Sequence, residues 1–226
     1  MPKIFVEPEI RIKWAGKKLD ELKDLIRLAN DETNEFAIRE REMNGMRMLF
    51  RFQDQTHYES IRLVSEFLHH GRSALDYIVF NLARHNTGTE QDRTQYPICD
   101  CQKEFEEVVR RKRSPIEFLT EDQVVLVERF QPYNRLPVLA LFNRISNRDK
   151  HREFHISASE GLRRLVPVAE VQASGRRGIP SDQVGMEFLV SYDVLLDDGM
   201  PATETLKQLH SLLGRILNEF NTLLGP

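Results

Sequence analysis

The stretch Asn147-Arg148-Asp149-Lys150-His151-Arg152 crowds polar chemistry into less than two helical turns, and Arg144 lies one turn earlier. An imidazole titrates near neutral pH, so His151 is suited to moving a proton. Guanidinium forks hold phosphate oxygens, which suits Arg144 and Arg148 to steadying a phosphodiester. Arg144, Arg148 and His151 are four and three residues apart, so a helix places them on one face. Flanking cations disfavour protonation of His151, whereas Asp149 favours it. Such a set could serve acid–base chemistry beside a held phosphate, with His151, Arg144, Arg148 and Asp149 as its candidate catalytic groups. The same residues also describe a charged helix end in water, with His151 at the surface.

A second polar set lies where periodicity expects core. Arg72 falls on the apolar stripe of Leu68 and Leu75, and Asp76 follows it by four residues. The stripe Val138, Leu141, Phe142 and Ile145 likewise continues into Arg148, Asp149 and Arg152. A charge near a core is costly unless paired. Arg72 is therefore expected against Asp149 or Asp76, and Arg152 against the other carboxylate. Two readings stand. One is a structural ion-pair network joining helices. The other is a polar pocket in which Arg72, Asp76, Asn147 and Arg152 hold a substrate.

Other residues carry less. The adjacent His69 and His70 point in different directions on a helix and make a poor metal pair. Cys99 and Cys101 have no second cysteine pair, so neither a zinc site nor a disulfide framework is expected. The run Arg110-Arg111-Lys112-Arg113 could touch a phosphate backbone, or simply be a solvated helix end. The P-loop, GxGxxG, GxSxG and HExxH patterns are missing. No metal and no cofactor is expected.

The elements that position these groups are readable from periodicity. Helices are expected over about 9–30, 57–86, 103–113, 120–130 and 137–152, and from about 203 to the end. The last carries the stripe Leu206, Leu209, Leu213, Ile216, Phe220 and Leu223. Asn44-Gly45 between alternating segments predicts a β-hairpin over 36–52, with Phe36, Ile38, Met46, Met48, Phe50 and Phe52 as its apolar face. Strands are expected at 154–157, 165–171 and 187–194, with a turn at Ser159-Glu160-Gly161 between the first two. The expected fold is α+β and mainly α. It is one domain over residues 1–226, a helical bundle with the hairpin inserted at 35–53 and strands at about 154–195. These strands and the hairpin form a small antiparallel sheet.

The chain has 226 residues, with 32 Lys+Arg against 35 Asp+Glu and a formal net charge of −3. Any nucleic-acid contact must therefore be local. No apolar run is long enough to span a bilayer and no signal peptide is apparent, so a cytoplasmic protein without membrane contact is expected.

Gly71-Arg72-Ser73-Ala74-Leu75-Asp76-Tyr77, Tyr96-Pro97-Ile98, Gln131-Pro132-Tyr133 and Asn147-Arg148-Asp149-Lys150-His151-Arg152 together resemble a family of uncharacterised bacterial proteins. The resemblance covers about 35–152. More distantly the chain is similar to HEPN domains, helical bundles whose members include metal-independent ribonucleases of toxin and phage-defence systems. Their motif is an Arg, four to six residues, then a His, which Arg144 and His151 fit, although Ile145 stands where the family has a polar residue. The resemblance implies RNA as partner, a homodimer, and a role for His151 at the RNA 2′-hydroxyl. The alternative is a non-catalytic binding or scaffold protein whose charged cluster fixes helix packing.

Overall fold

The computed structural model describes residues 4–30, 37–43, 46–52, 54–151, 157–167, 186–196 and 199–225; side chains are described for 4–30, 58–147, 194–196 and 199–225. The chain is mainly helical. Its helices are α1 (Val6–Ala29), α2 (Asp54–Thr87), α3 (Gln102–Arg110), α4 (Glu121–Arg129), α5 (Pro137–His151) and α6 (Ala202–Leu224). A 3-10 turn, Pro132–Asn134, joins α4 to α5. Among the described residues no helix is long and apolar enough to cross a membrane. The residues group into two compact units. One contains Met1–Glu21, Arg62–Phe154 and Ala202–Pro226, and the other Leu22–Ile61 and His155–Pro201.

The first unit is the helical bundle. On α6, Leu206, Leu209, Leu213, Ile216 and Phe220 are buried, whereas Leu223, on the same stripe but in the last turn, is 40% exposed. Phe142 of α5 and the α2 stripe of Leu68, Leu75, Val79 and Leu82 are buried as well. Burying each such side chain stabilises by about 1.5–3 kcal/mol. Gly71 sits where α2 comes close to α5 and α6. A Cβ there would stand 3.2 Å from Leu213 Cδ1 and 3.4 Å from the Phe142 ring. Phe5 closes one end, edge-on to Phe220 with ring centroids 6.5 Å apart. Lys18 of α1 pairs with Glu66 of α2 at 3.0 Å. Burial alone would raise the Glu66 carboxyl. Hydrogen bonds from Lys18 and Arg62 outweigh it and hold the group below its ordinary range.

Helix ends follow local chemistry. Thr120 and Gln123 form the expected capping box at the start of α4, with Thr120 N–H donating to Gln123 Oε1 at 3.0 Å. The helix expected over Lys103–Arg113 stops sooner, at Arg110. Pro115 disfavours helix at the residue before it, and Arg113 takes a left-handed φ of 62°. Arg111, Lys112 and Arg113 therefore leave the helix and form a loop.

The second unit holds four strands, β1 (Ala37–Met43), β2 (Met46–Phe52), β3 (Ser157–Pro167) and β4 (Met186–Leu195), in the order β1-β2-β4-β3. β1 and β2 pair antiparallel from Ala37↔Phe52 to Met43↔Met46. The Asn44-Gly45 turn itself, and Phe36, lie outside the described residues. This register corrects the expected apolar face. Ile38 stands opposite Arg51, and so belongs to the other alternation of the strand from Phe50 and Phe52. Met43 pairs with Met46, and every further pair follows in step from that.

β2 and β4 run parallel, meeting at Leu49↔Glu187, where only antiparallel neighbours were expected. The long connection between them leaves their direction free, unlike a tight hairpin. The turn expected at Ser159-Glu160-Gly161 is absent. β3 runs through it, because β4 offers a partner over its whole length, from Ser157↔Leu195 to Pro167↔Met186. The irregularity in that ladder falls later, between Leu162 and Arg164.

Candidate functional site

The polar centre of the bundle is built on an extended segment, Tyr96 to Cys99. Pro97 keeps Tyr96 out of helix and has no N–H of its own. The segment lies against α2, α5 and the end of α4 with Tyr96, Pro97 and Cys99 buried. Its backbone groups therefore need partners, and no strand supplies them.

Side chains do so instead. Asp76 Oδ1 accepts the Tyr96 N–H at 3.0 Å, and Arg72 Nη2 donates to the Tyr96 carbonyl at 2.8 Å. The two side chains are themselves joined, Nε to Oδ2 at 3.3 Å and Nη2 to Oδ1 at 3.3 Å. One turn of α2 thus presents an acceptor and a donor at the spacing of one peptide unit. Gln131, fully buried, repeats the device one step further along. Its Oε1 accepts the Cys99 N–H at 2.8 Å, and its Nε2 donates to the Pro97 and Val127 carbonyls, each at 3.0 Å. Asn143 of α5 reaches the Ile98 carbonyl at 3.5 Å, and Asn147 donates to Asn143 Oδ1 at 3.4 Å.

This arrangement decides one expectation. Arg72 is buried, as its place on an apolar stripe requires, and its carboxylate partner is Asp76 of its own helix. The side chains of Arg148, Asp149 and His151, and the whole of Arg152, lie outside the described residues. So does the pairing of Arg72 with Asp149. Of the remaining residues near the end of α5, Arg144 and Asn147 are exposed, and Arg144 has no polar partner among the described residues.

The clamp also alters its neighbours. Burial pushes the Tyr96 hydroxyl well above the ordinary phenol range, against a smaller opposing pull from Arg72. That hydroxyl donates to the Val127 carbonyl at 3.4 Å. Burial, with smaller contributions from Glu104, Cys101 and Asp100, pushes the Cys99 thiol up to about 11. Neither group is poised for proton transfer near neutral pH. Among the described residues no group of three or more His, Cys, Asp and Glu could hold a metal ion.

Gln131 and Asn143 were not singled out by type or spacing as members of a site. An uncharged amide gives no pattern that separates a buried clamp from a surface loop. The signals that do mark Gln131 are its place in the Gln131-Pro132-Tyr133 motif of the family resemblance and the proline after it, as Pro97 follows Tyr96.

No protein-family model, no curated protein and no solved structure matches this chain.

Proposed function

We propose that this chain is a non-catalytic binding protein, a HEPN-like helical bundle with a small sheet, in which the charged cluster around Arg72 and Asp76 is scaffold. The observation that carries this reading is the engagement of that pair. The guanidinium and carboxylate bond each other and the Tyr96 backbone, and both neighbouring ionisable groups, Tyr96 and Cys99, are held neutral. A reacting centre keeps a group free to meet substrate. RNA is the partner to try first, and a homodimer in the cytoplasm is the working form. Incubation of the pure protein with a range of RNAs, in chelator, should leave them intact. Products ending in 2′,3′-cyclic phosphate would overturn the reading.

A second reading keeps metal-independent RNA cleavage at the end of α5, with His151 as general acid or base and Arg144, Arg148 and Asp149 beside it. It is favoured by the exposed Arg144 and Asn147, the former without a polar partner among the described residues. On this reading His151→Ala lowers cleavage by about 10²–10⁴-fold. Cleavage unchanged in that variant would remove it.

A further inference from the structure

Beside the clamp two loops face one another across a cleft of about 540 Å³. One is the turn carrying Arg93. The other is the Arg111-Lys112-Arg113 loop that leaves α3. Gln95 N–H donates to the Pro115 carbonyl at 3.3 Å and ties the two together. All four cations are exposed, and none has a hydrogen-bond or ion-pair partner among the described residues. The neighbouring Arg110, outside the cleft, does pair with Glu106, at 2.9 Å. The cleft's carboxylate, Asp76, is already bound by Arg72 and the Tyr96 N–H.

A second observation falls on the same residues. Arg93 and Arg113 both have left-handed backbones, with φ of 65° and 62°. Glycine or asparagine occupies that region at less cost. The chain instead has a guanidinium on each side of the opening.

We infer that this cleft is a phosphate-binding site. Three guanidinium forks and an ammonium suit phosphoryl oxygens, and the volume exceeds that of one phosphate group. The lining holds no aromatic ring and only Pro115 as an apolar residue. A base would find nothing to stack on, so recognition stops at the phosphates. The chemistry is two or three linked phosphoryl groups, whether from inorganic polyphosphate or from an RNA backbone. This rests on the binding reading above and names what that protein binds.

The test uses the full chain, titrated with inorganic tripolyphosphate, oligo(U) and oligo(A). Wild type should bind at least one of the two sources, oligo(U) and oligo(A) with similar affinity, and binding should weaken with salt. Stronger binding of tripolyphosphate points to free polyphosphate, and stronger binding of the RNAs to a backbone. The double change Arg111→Glu with Lys112→Glu should weaken binding by about tenfold or more, while Arg110→Glu has a much smaller effect. Arg93→Gly should weaken binding while keeping or raising Tm, which a merely structural residue would not do. Equal losses in Arg110→Glu and the cleft variant, unchanged binding in the cleft variants, a strong base preference, or no binding of either source would each overturn the site. Cleavage of the RNA by wild type but not by His151→Ala would overturn the non-catalytic reading alone, because tripolyphosphate still reports on the cleft.

Discussion

Arg72 donates from Nη2 to the backbone carbonyl of Tyr96 at 2.8 Å, across 24 residues of sequence. The same guanidinium is held by Asp76, which in turn accepts the Tyr96 N–H. A helix side-chain pair here substitutes for a neighbouring strand.

Removing the guanidinium should therefore unfasten the segment. Arg72→Ala leaves the Tyr96 carbonyl without its donor and a carboxylate without its cation. The expected loss is about 3 kcal/mol. Asp76→Asn keeps an acceptor for the Tyr96 N–H and should cost less. The denaturant midpoint of each variant, at constant m, measures this. A midpoint for Arg72→Ala equal to wild type would refute the clamp.

Gln131 has no charge, yet it holds both a donor and an acceptor of the buried segment. Gln131→Ala should destabilise by about 2 kcal/mol. Gln131→Met, of similar volume, should not restore stability, because the unmade hydrogen bonds are the cost. Recovery with Met would mean that packing alone matters at this position.

His70 supplies a pH dependence. Burial first, then the positive charges of Arg11 and His69, hold its imidazole below the ordinary histidine range. Its Nδ1 lies 3.3 Å from Arg11 Nη1, and its ring stands 5.3 Å from that of Trp14. The folded state thus resists protonation more than the unfolded chain does. Above the unfolded value of about 6.5 this carries no penalty. As pH falls below it the unfolded chain takes up the proton first, and stability declines until the folded value is passed. Thermal melts between neutral and mildly acid pH should show a decline that is smaller in His70→Gln. An identical slope in the variant would assign the effect to other groups.

The two thiols should separate cleanly. Cys99 is buried with its thiol pushed up to about 11, whereas Cys101 is exposed. At mildly alkaline pH a thiol reagent should modify one cysteine in the native protein and the second only after denaturation. Peptide mapping should place the fast label on Cys101; a fast label on Cys99 would mean that the clamped segment opens readily.

The sequence by itself determined where the helices run and most of the buried face of α6; on α5 it is Leu139 that is buried beside Phe142 and Ile145, while the expected Val138 and Leu141 are half-buried. Leu206, Leu209, Leu213, Ile216 and Phe220 repeat at the helical period, and water leaves such a stripe wherever the helix ends up. It also marked Arg72 as a charge on a buried stripe in need of a partner, and Asp76 one turn away is that partner. The Asn44-Gly45 pair also marked a hairpin over 36–52, and β1 and β2 do pair antiparallel from Ala37↔Phe52 to Met43↔Met46. The expected face of that hairpin failed because apolarity was followed where the pairing register governed.

Other features belong to the tertiary structure alone. That Tyr96 receives both halves of the Arg72–Asp76 pair depends on how the chain returns after α2, and no local pattern records that return. Gln131 becomes a clamp only when Cys99 is brought to it. The left-handed backbones of Arg93 and Arg113, and the cleft between their loops, arise from residues 20 positions apart. Sequence periodicity reports which way a side chain faces within its own element. It does not report which distant backbone group will arrive there.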